Sequence, residues 1–114
     1  MADLRIVFHV NENNRWPFTI RSAHNLVHSK EQGRAVVVAN GGAIRAFSQL
    51  DADPAQWKKI KALAEDGVRF VVCKIAMDER QINPDLLPSY VNIVPAGIVE
   101  IAKLQAQGYG YIKA

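Results

Sequence analysis

The 114-residue chain has one cysteine, Cys73, which excludes an internal disulfide and a cysteine-rich zinc site at once. It has no apolar run approaching the ~20 residues a helix needs to cross a bilayer. Neither sign of charge dominates: 14 Lys and Arg stand against 11 Asp and Glu, a net charge of only +3. The basic residues are dispersed rather than gathered into a stripe or arm, so nucleic acid is not an expected partner. The N-terminal segment carries an early acid, Asp3, and its apolar run is interrupted at His9, which is not the pattern of a secretory signal. A cytoplasmic protein that does not enter the membrane is expected. Repeats, low-complexity tracts and linkers are missing too, so residues 1–114 are expected to form a single domain.

What is present is ordinary globular composition, 49% hydrophobic and 22% charged. Short apolar runs alternate with segments of helical period. Leu4 to Val10, Ala35 to Ala39, Val68 to Ile75 and Tyr90 to Val94 read as strands, with Tyr109 to Ile112 as a weaker fifth. Runs that are apolar on both faces suit a parallel sheet covered by helices on both sides. Between them, Trp16, Ile20, Ala23 and Val27 line one face of a helix over Trp16 to Ser29. Pro54 to Asp66 is the best-marked helix. Asp53 is its natural N-cap, Trp57, Ile60, Leu63 and Ala64 its apolar stripe, and Gly67 its stop. Pro95 to Gln107 repeats the pattern, with Ile98, Ile101, Ala102 and Leu104 expected inside and Gly108 as the stop. Strand and helix in this alternation predict a three-layer α/β/α sandwich with a mostly parallel sheet of about five strands.

Ligands of such sheets bind beyond the C-terminal ends of the strands. That rule selects His9 after the first strand, Asn40-Gly41-Gly42 after the second, Cys73-Lys74 after the third and Val94-Pro95-Ala96-Gly97 after the fourth. Cys73 lies just before an expected helical turn over Ala76 to Ile82, and both a helix N-terminus and Lys74 would favour its thiolate. Position alone favours the plainer reading, a small buried hydrophobe that finishes a strand, because most lone cysteines are inert. His9 could hydrogen-bond a ligand or serve as a structural histidine. Gly41 and Gly42 could offer backbone N–H groups to an anion or simply make a tight turn. His24 and His28 are spaced i, i+4, but no third ligand follows, so a solvated helix edge is expected rather than a metal site. No nucleophile elbow or paired-carboxylate pattern supports a hydrolase.

Taken in order, Val7-Phe8-His9-Val10, Ala23-His24-Asn25-Leu26, Val38-Ala39-Asn40-Gly41-Gly42 and Gly67-Val68-Arg69-Phe70-Val71-Val72-Cys73 resemble the DsrE/DsrF-like family of small sulfur-metabolism proteins. The closing Val94-Pro95-Ala96-Gly97-Ile98-Val99-Glu100-Ile101 and Leu104-Gln105-Ala106-Gln107-Gly108-Tyr109 extend the resemblance almost end to end. It implies a three-layer α/β fold, a homo-oligomer (trimer or hexamer), and sulfane sulfur carried as a persulfide on a cysteine that maps to Cys73. The expected function is therefore a sulfur carrier or sulfurtransferase-like relay protein that needs a sulfur donor, an acceptor protein, and no metal or cofactor. Its candidate binding residues are His9, Asn25, Gly41, Gly42 and Lys74. With no second thiol in the chain, sulfur must pass to another molecule or subunit. Two alternatives stand beside it. One is a non-enzymatic subunit binding a small anion or nucleotide, with a structural Cys73; the other is a thiol redox sensor. Aromatics near element boundaries, Trp16 and Phe47, are the expected interface anchors.

Overall fold

Strand runs rich in Val and Ile, punctuated by Gly and Pro, become five short strands in the computed structural model, which describes residues 3–48 and 53–114. They are β1 (Arg5–Val10), β2 (Arg34–Ala39), β3 (Arg69–Cys73), β4 (Val91–Val94) and β5 (Gly110–Lys113). One sheet holds them in the order β4-β3-β2-β1-β5, and every neighbouring pair is parallel. His9 lies level with Val38 of β2 and Lys113 of β5, while Cys73 lies level with Val94 of β4.

Four helices connect the strands: α1 (Trp16–Val27), α2 (Pro54–Glu65), α3 (Lys74–Glu79) and α4 (Gly97–Ala106). Asp53 caps α2 as its sequence position predicts, its carboxylate accepting from the backbone N–H groups of Ala55 and Gln56 at 3.0 and 3.2 Å. Gly67 ends that helix at φ +99°, a conformation that costs glycine nothing and a side-chain-bearing residue strain. Two starts differ from expectation. α3 begins at Lys74 instead of Ala76, which makes Cys73 itself the N-cap position, and α4 begins at Gly97 instead of Pro95.

Alternation along the strands sorts the core into two layers. Phe8, Val10, Val37, Ala39, Phe70 and Val72 pack with Trp16 and Ala23 of α1, Ile60 and Leu63 of α2, and Ala76 and Met77 of α3. Val7, Val36, Val38 and Val71 face the other way and pack under Ile101 and Leu104 of α4. Three helices thus cover one face and a single helix the other, so the fold is the α/β/α sandwich expected. Each fully buried Val or Ile contributes about 1.5–3 kcal/mol by leaving water.

The lopsided layering corrects several assignments. Ile98 of α4 is 65% exposed and Ala102 is exposed as well, because a helix alone on its face buries only the stripe that touches the sheet. Trp16 and Phe47, expected at an interface, are instead core residues at 0% and 2% exposure, packed edge-to-face with centroids 5.6 Å apart. The Trp16 indole N–H donates to the carbonyl oxygen of Ala43 at 2.8 Å, so even its polar atom is satisfied within the chain. The Gly41-Gly42 turn does not simply reverse the chain. It opens a 3-10 helical stretch over Gly41–Phe47 that plugs this end of the three-helix layer with Ala43, Ile44, Ala46 and Phe47.

Candidate functional site

A parallel sheet lines up the C-terminal ends of its strands along one edge. Here that edge carries His9, Asn40 and Cys73. β3 passes its chain to α3 on the three-helix face, while the adjacent β4 passes its chain to α4 on the opposite face. The connections diverge between these two strands, which is where a crevice forms in open α/β sheets. Cys73 is the last residue of β3 at that divergence.

Cys73 is 7% exposed, and its side chain makes no capping hydrogen bond to α3. One wall beside it is set by a residue that has no side chain. A methyl group placed on Gly97 would stand 3.3 Å from Cys73 Cβ, 3.3 Å from Val38 Cγ1 and 3.5 Å from Asn40 Cβ. The absence of that methyl lets the first turn of α4 settle directly against Cys73 and Asn40.

Asn40 belongs to a hydrogen-bonded chain of three side chains. The ring of His9, 8% exposed, lies with Nε2 2.8 Å from Asn40 Oδ1 and Nδ1 2.7 Å from the hydroxyl of Tyr111. A carbonyl-type oxygen can only accept, so Nε2 carries the hydrogen and donates to Asn40. In the neutral ring Nδ1 is then the acceptor, and the Tyr111 hydroxyl donates to it. Alternation from Val7 and Val38 puts His9, Asn40 and Tyr111 on the α4 face of the sheet, the side on which Gly97 meets Cys73. Asn40 is half-buried, and among the described residues its amide nitrogen has no hydrogen-bond partner.

Of the residues the sequence singled out, Cys73 and His9 lie on this edge; Cys73 packs with the three-helix layer, while its Cβ also borders Gly97 of α4. Gly41 and Gly42 follow β2 on the same edge, but their neighbour is the loop after β1. Gly41 has φ +53°, and a Cβ there would meet the Asn11 carbonyl oxygen at 3.0 Å. Lys74 adjoins Cys73 in the chain, yet its ammonium is held by Asp78 Oδ1 at 2.6 Å, one turn further along α3. Asn25 is not brought to the site. It is exposed near the C-terminal end of α1, a helix of the three-helix layer. His24 and His28 are exposed with ring centroids 4.3 Å apart, and His28 Nε2 lies 3.0 Å from Asp66 Oδ2. No cluster of three metal-ligating side chains occurs among the described residues.

Three contributions carry no local signal in the sequence: the side-chain role of Asn40, Tyr111, and the bare Cα of Gly97. Asn40 lies in the strand-end turn, where the sequence points to the backbone N–H groups of Gly41 and Gly42. Tyr111 could be connected to His9 only by knowing that β5 lies beside β1. Gly97 closes the strand-end segment Val94-Pro95-Ala96-Gly97, and nothing local signals its contact with Cys73.

Among solved structures, the chain is similar to the protein of unknown function MTH1491 from Methanobacterium thermoautotrophicum, at 28% identity and a TM-score of 0.86. That match covers 98% of this chain and 100% of the other. The ychN protein from E. coli shares the fold at 18% identity and a TM-score of 0.77, over 97% of this chain and 100% of its own. No curated protein matches. The sequence model of the DsrE/DsrF-like family matches residues 6–114, from the first strand through the last, and the chain belongs to that family.

Proposed function

We propose that the protein is a sulfur carrier in which Cys73 holds sulfane sulfur as a persulfide. The observation that carries this reading is the position of the chain's sole thiol, at the end of β3 where the connections from β3 and β4 diverge, in a chain of the DsrE/DsrF-like family. Cys73 as thiolate attacks the outer sulfur of a donor persulfide. The donor's S–S bond breaks, a Cys73 Sγ–S bond forms, and the donor leaves as a thiolate. Attack by an acceptor thiolate on the same outer sulfur regenerates Cys73, so sulfur moves with no net oxidation or reduction. The donor and acceptor are other proteins or another copy of the chain. Assembly as a homo-oligomer, a trimer or hexamer, belongs to the same proposal. It is supported by Ile98 and Val99 of α4, which stay 65% and 49% exposed on the face that has one helix. Light scattering that returned the monomer mass over a wide concentration range would contradict it.

Burial of Cys73 favours one competing reading. At 7% exposure the thiol packs like a structural residue, and the chain would then be a binding subunit for a small anion or nucleotide near the Gly41-Gly42 turn and the start of α4. Intact-mass measurement after exposure to glutathione persulfide separates the two. The carrier gains sulfur on the wild-type chain, loses it to reductant, and gains none in Cys73→Ser. A folded wild type that gains none refutes sulfur carriage.

A further inference from the structure

Asn40 has a side chain whose two ends are in different situations. Its oxygen is taken by His9 Nε2–H at 2.8 Å, and His9 is in turn held by the Tyr111 hydroxyl at 2.7 Å. This anchoring fixes which way the amide faces: the oxygen is committed to the ring, and the N–H2 group is the end left over. That group has two donors, no hydrogen-bond partner among the described residues, and, on a half-buried residue, access to solvent. The Asn40 and Cys73 side chains flank the same glycine, Gly97, with their Cβ atoms 3.5 and 3.3 Å from the point where its side chain would begin. A donor pair beside a bare glycine and a thiol is suited to one partner chemistry, a polarisable atom that gains negative charge at the tip of the cysteine.

Resting on the sulfur-carrier reading, we propose that the Asn40 amide is the hydrogen-bond donor to the outer sulfur carried on Cys73, and that His9 and Tyr111 are the positioning residues that hold it. A persulfide at neutral pH bears its charge on the outer sulfur, and that atom receives the N–H during both loading and delivery. His9 takes no proton in this scheme. Its Nε2–H serves to lock the amide, and Tyr111 serves to keep Nδ1 the accepting nitrogen.

Asn40→Asp tests the assignment. A carboxylate has the size of the amide and still accepts from His9 Nε2–H, but it has no N–H to offer sulfur. The probe is glutathione persulfide, and the readout is the initial rate of sulfur gain on Cys73 by intact mass. The expected result is loading slowed about tenfold, the scale of one hydrogen bond to a charged group. Nitrogen-15 shifts of His9 are expected to show the same protonated Nε2, and thermal melting to show a folded chain. Loading of the variant at the wild-type rate overturns the donor role while leaving sulfur carriage intact. A wild type that takes up no sulfur overturns the carrier reading, and the donor role with it. If Asn40→Asp does not fold, Tyr111→Phe decides: it removes one half-exposed hydroxyl, and a several-fold slower loading is expected together with changed His9 nitrogen shifts. Wild-type loading in that variant overturns the positioning role.

Discussion

The hydroxyl of Tyr111 and Nδ1 of His9 meet at 2.7 Å although 102 residues separate them, joining the last strand to the first through side chains as well as backbone. β5 is a four-residue edge strand exposed along most of its length, so this bond sits where the ladder alone is weakest. His9→Ala removes the partner of both Asn40 Oδ1 and the Tyr111 hydroxyl and is expected to lower unfolding free energy by about 1–3 kcal/mol. Tyr111→Phe is expected to cost less, about 0.5–1.5 kcal/mol, because Tyr111 is 42% exposed and water can take the place of its hydroxyl at His9. Urea titration of the two variants checks the ranking; a costlier Tyr111→Phe would reverse it.

Truncating the two tryptophans should have unequal consequences. Trp16 is fully buried against Phe47 and Phe70, and Trp16→Ala is expected to cost about 3–5 kcal/mol. Trp57 is half-buried, although its indole N–H reaches the Ala46 carbonyl, so Trp57→Ala is expected to fall below that range. Lys58, exposed on the same helix, is expected to change stability by no more than about 0.5 kcal/mol on replacement by alanine. Melting of all three variants gives the order directly. A Lys58→Ala shift equal to that of Trp57→Ala would contradict the assignment of faces on α2.

The strands and helices were legible in the sequence because local signals agreed with tertiary packing. Asp53 and Pro54 mark the start of α2, Gly67 follows its C-cap Asp66, and all five apolar runs became strands. What stayed hidden depended on sheet order and on layer coverage. Ile98 has the period of a core residue, yet nothing local tells that α4 lies alone on its face. Trp16 looked like an interface anchor because the 3-10 stretch that encloses it carries no periodic signal. For the site, Cys73 and His9 followed from the strand-end rule. The Asn40–His9–Tyr111 chain did not, since it requires β1 to lie between β2 and β5.

Gly97 is expected to tolerate little. Alanine there would press its methyl on Cys73 and Val38 at 3.3 Å. Valine adds two further carbons to the same contact. Gly97→Val is expected to destabilise by about 1–3 kcal/mol through overpacking, with Gly97→Ala much closer to neutral. Denaturant midpoints of both variants measure the difference; an unchanged midpoint for valine would mean that α4 moves freely away from the sheet.

Tyr90 gives the fold an alkaline sensitivity. Partial burial beside Phe70, with ring centroids 6.4 Å apart, raises its phenol above the ordinary value of 10.0 by desolvating the charged form. The unfolded chain therefore releases this proton first as pH rises through 10.0. Above that point it binds fewer protons than the folded chain, so stability falls with pH until folded Tyr90 also ionises. Tyr90→Phe is expected to flatten this decline relative to wild type, measured as unfolding free energy on either side of pH 10.0. An identical decline in both proteins would assign the alkaline loss elsewhere.

Cys73 is expected to react in the native state despite its 7% exposure. Sulfur exchange requires the donor's outer sulfur to reach Sγ, so a carrier must admit a small electrophile at the crevice between β3 and β4. Iodoacetamide should therefore label folded protein at a rate that does not change as urea rises through concentrations well below the unfolding transition. A purely structural thiol behaves differently: labelling then waits for global opening, and its rate climbs with urea along the unfolding free energy. Asn40→Asp is a useful companion, because its effect is predicted on a sulfur that carries charge after loading, whereas loss of access would slow alkylation and loading together. Labelling that tracks global unfolding in the wild type would leave Cys73 as a packing residue of the three-helix layer and would favour the anion-binding reading.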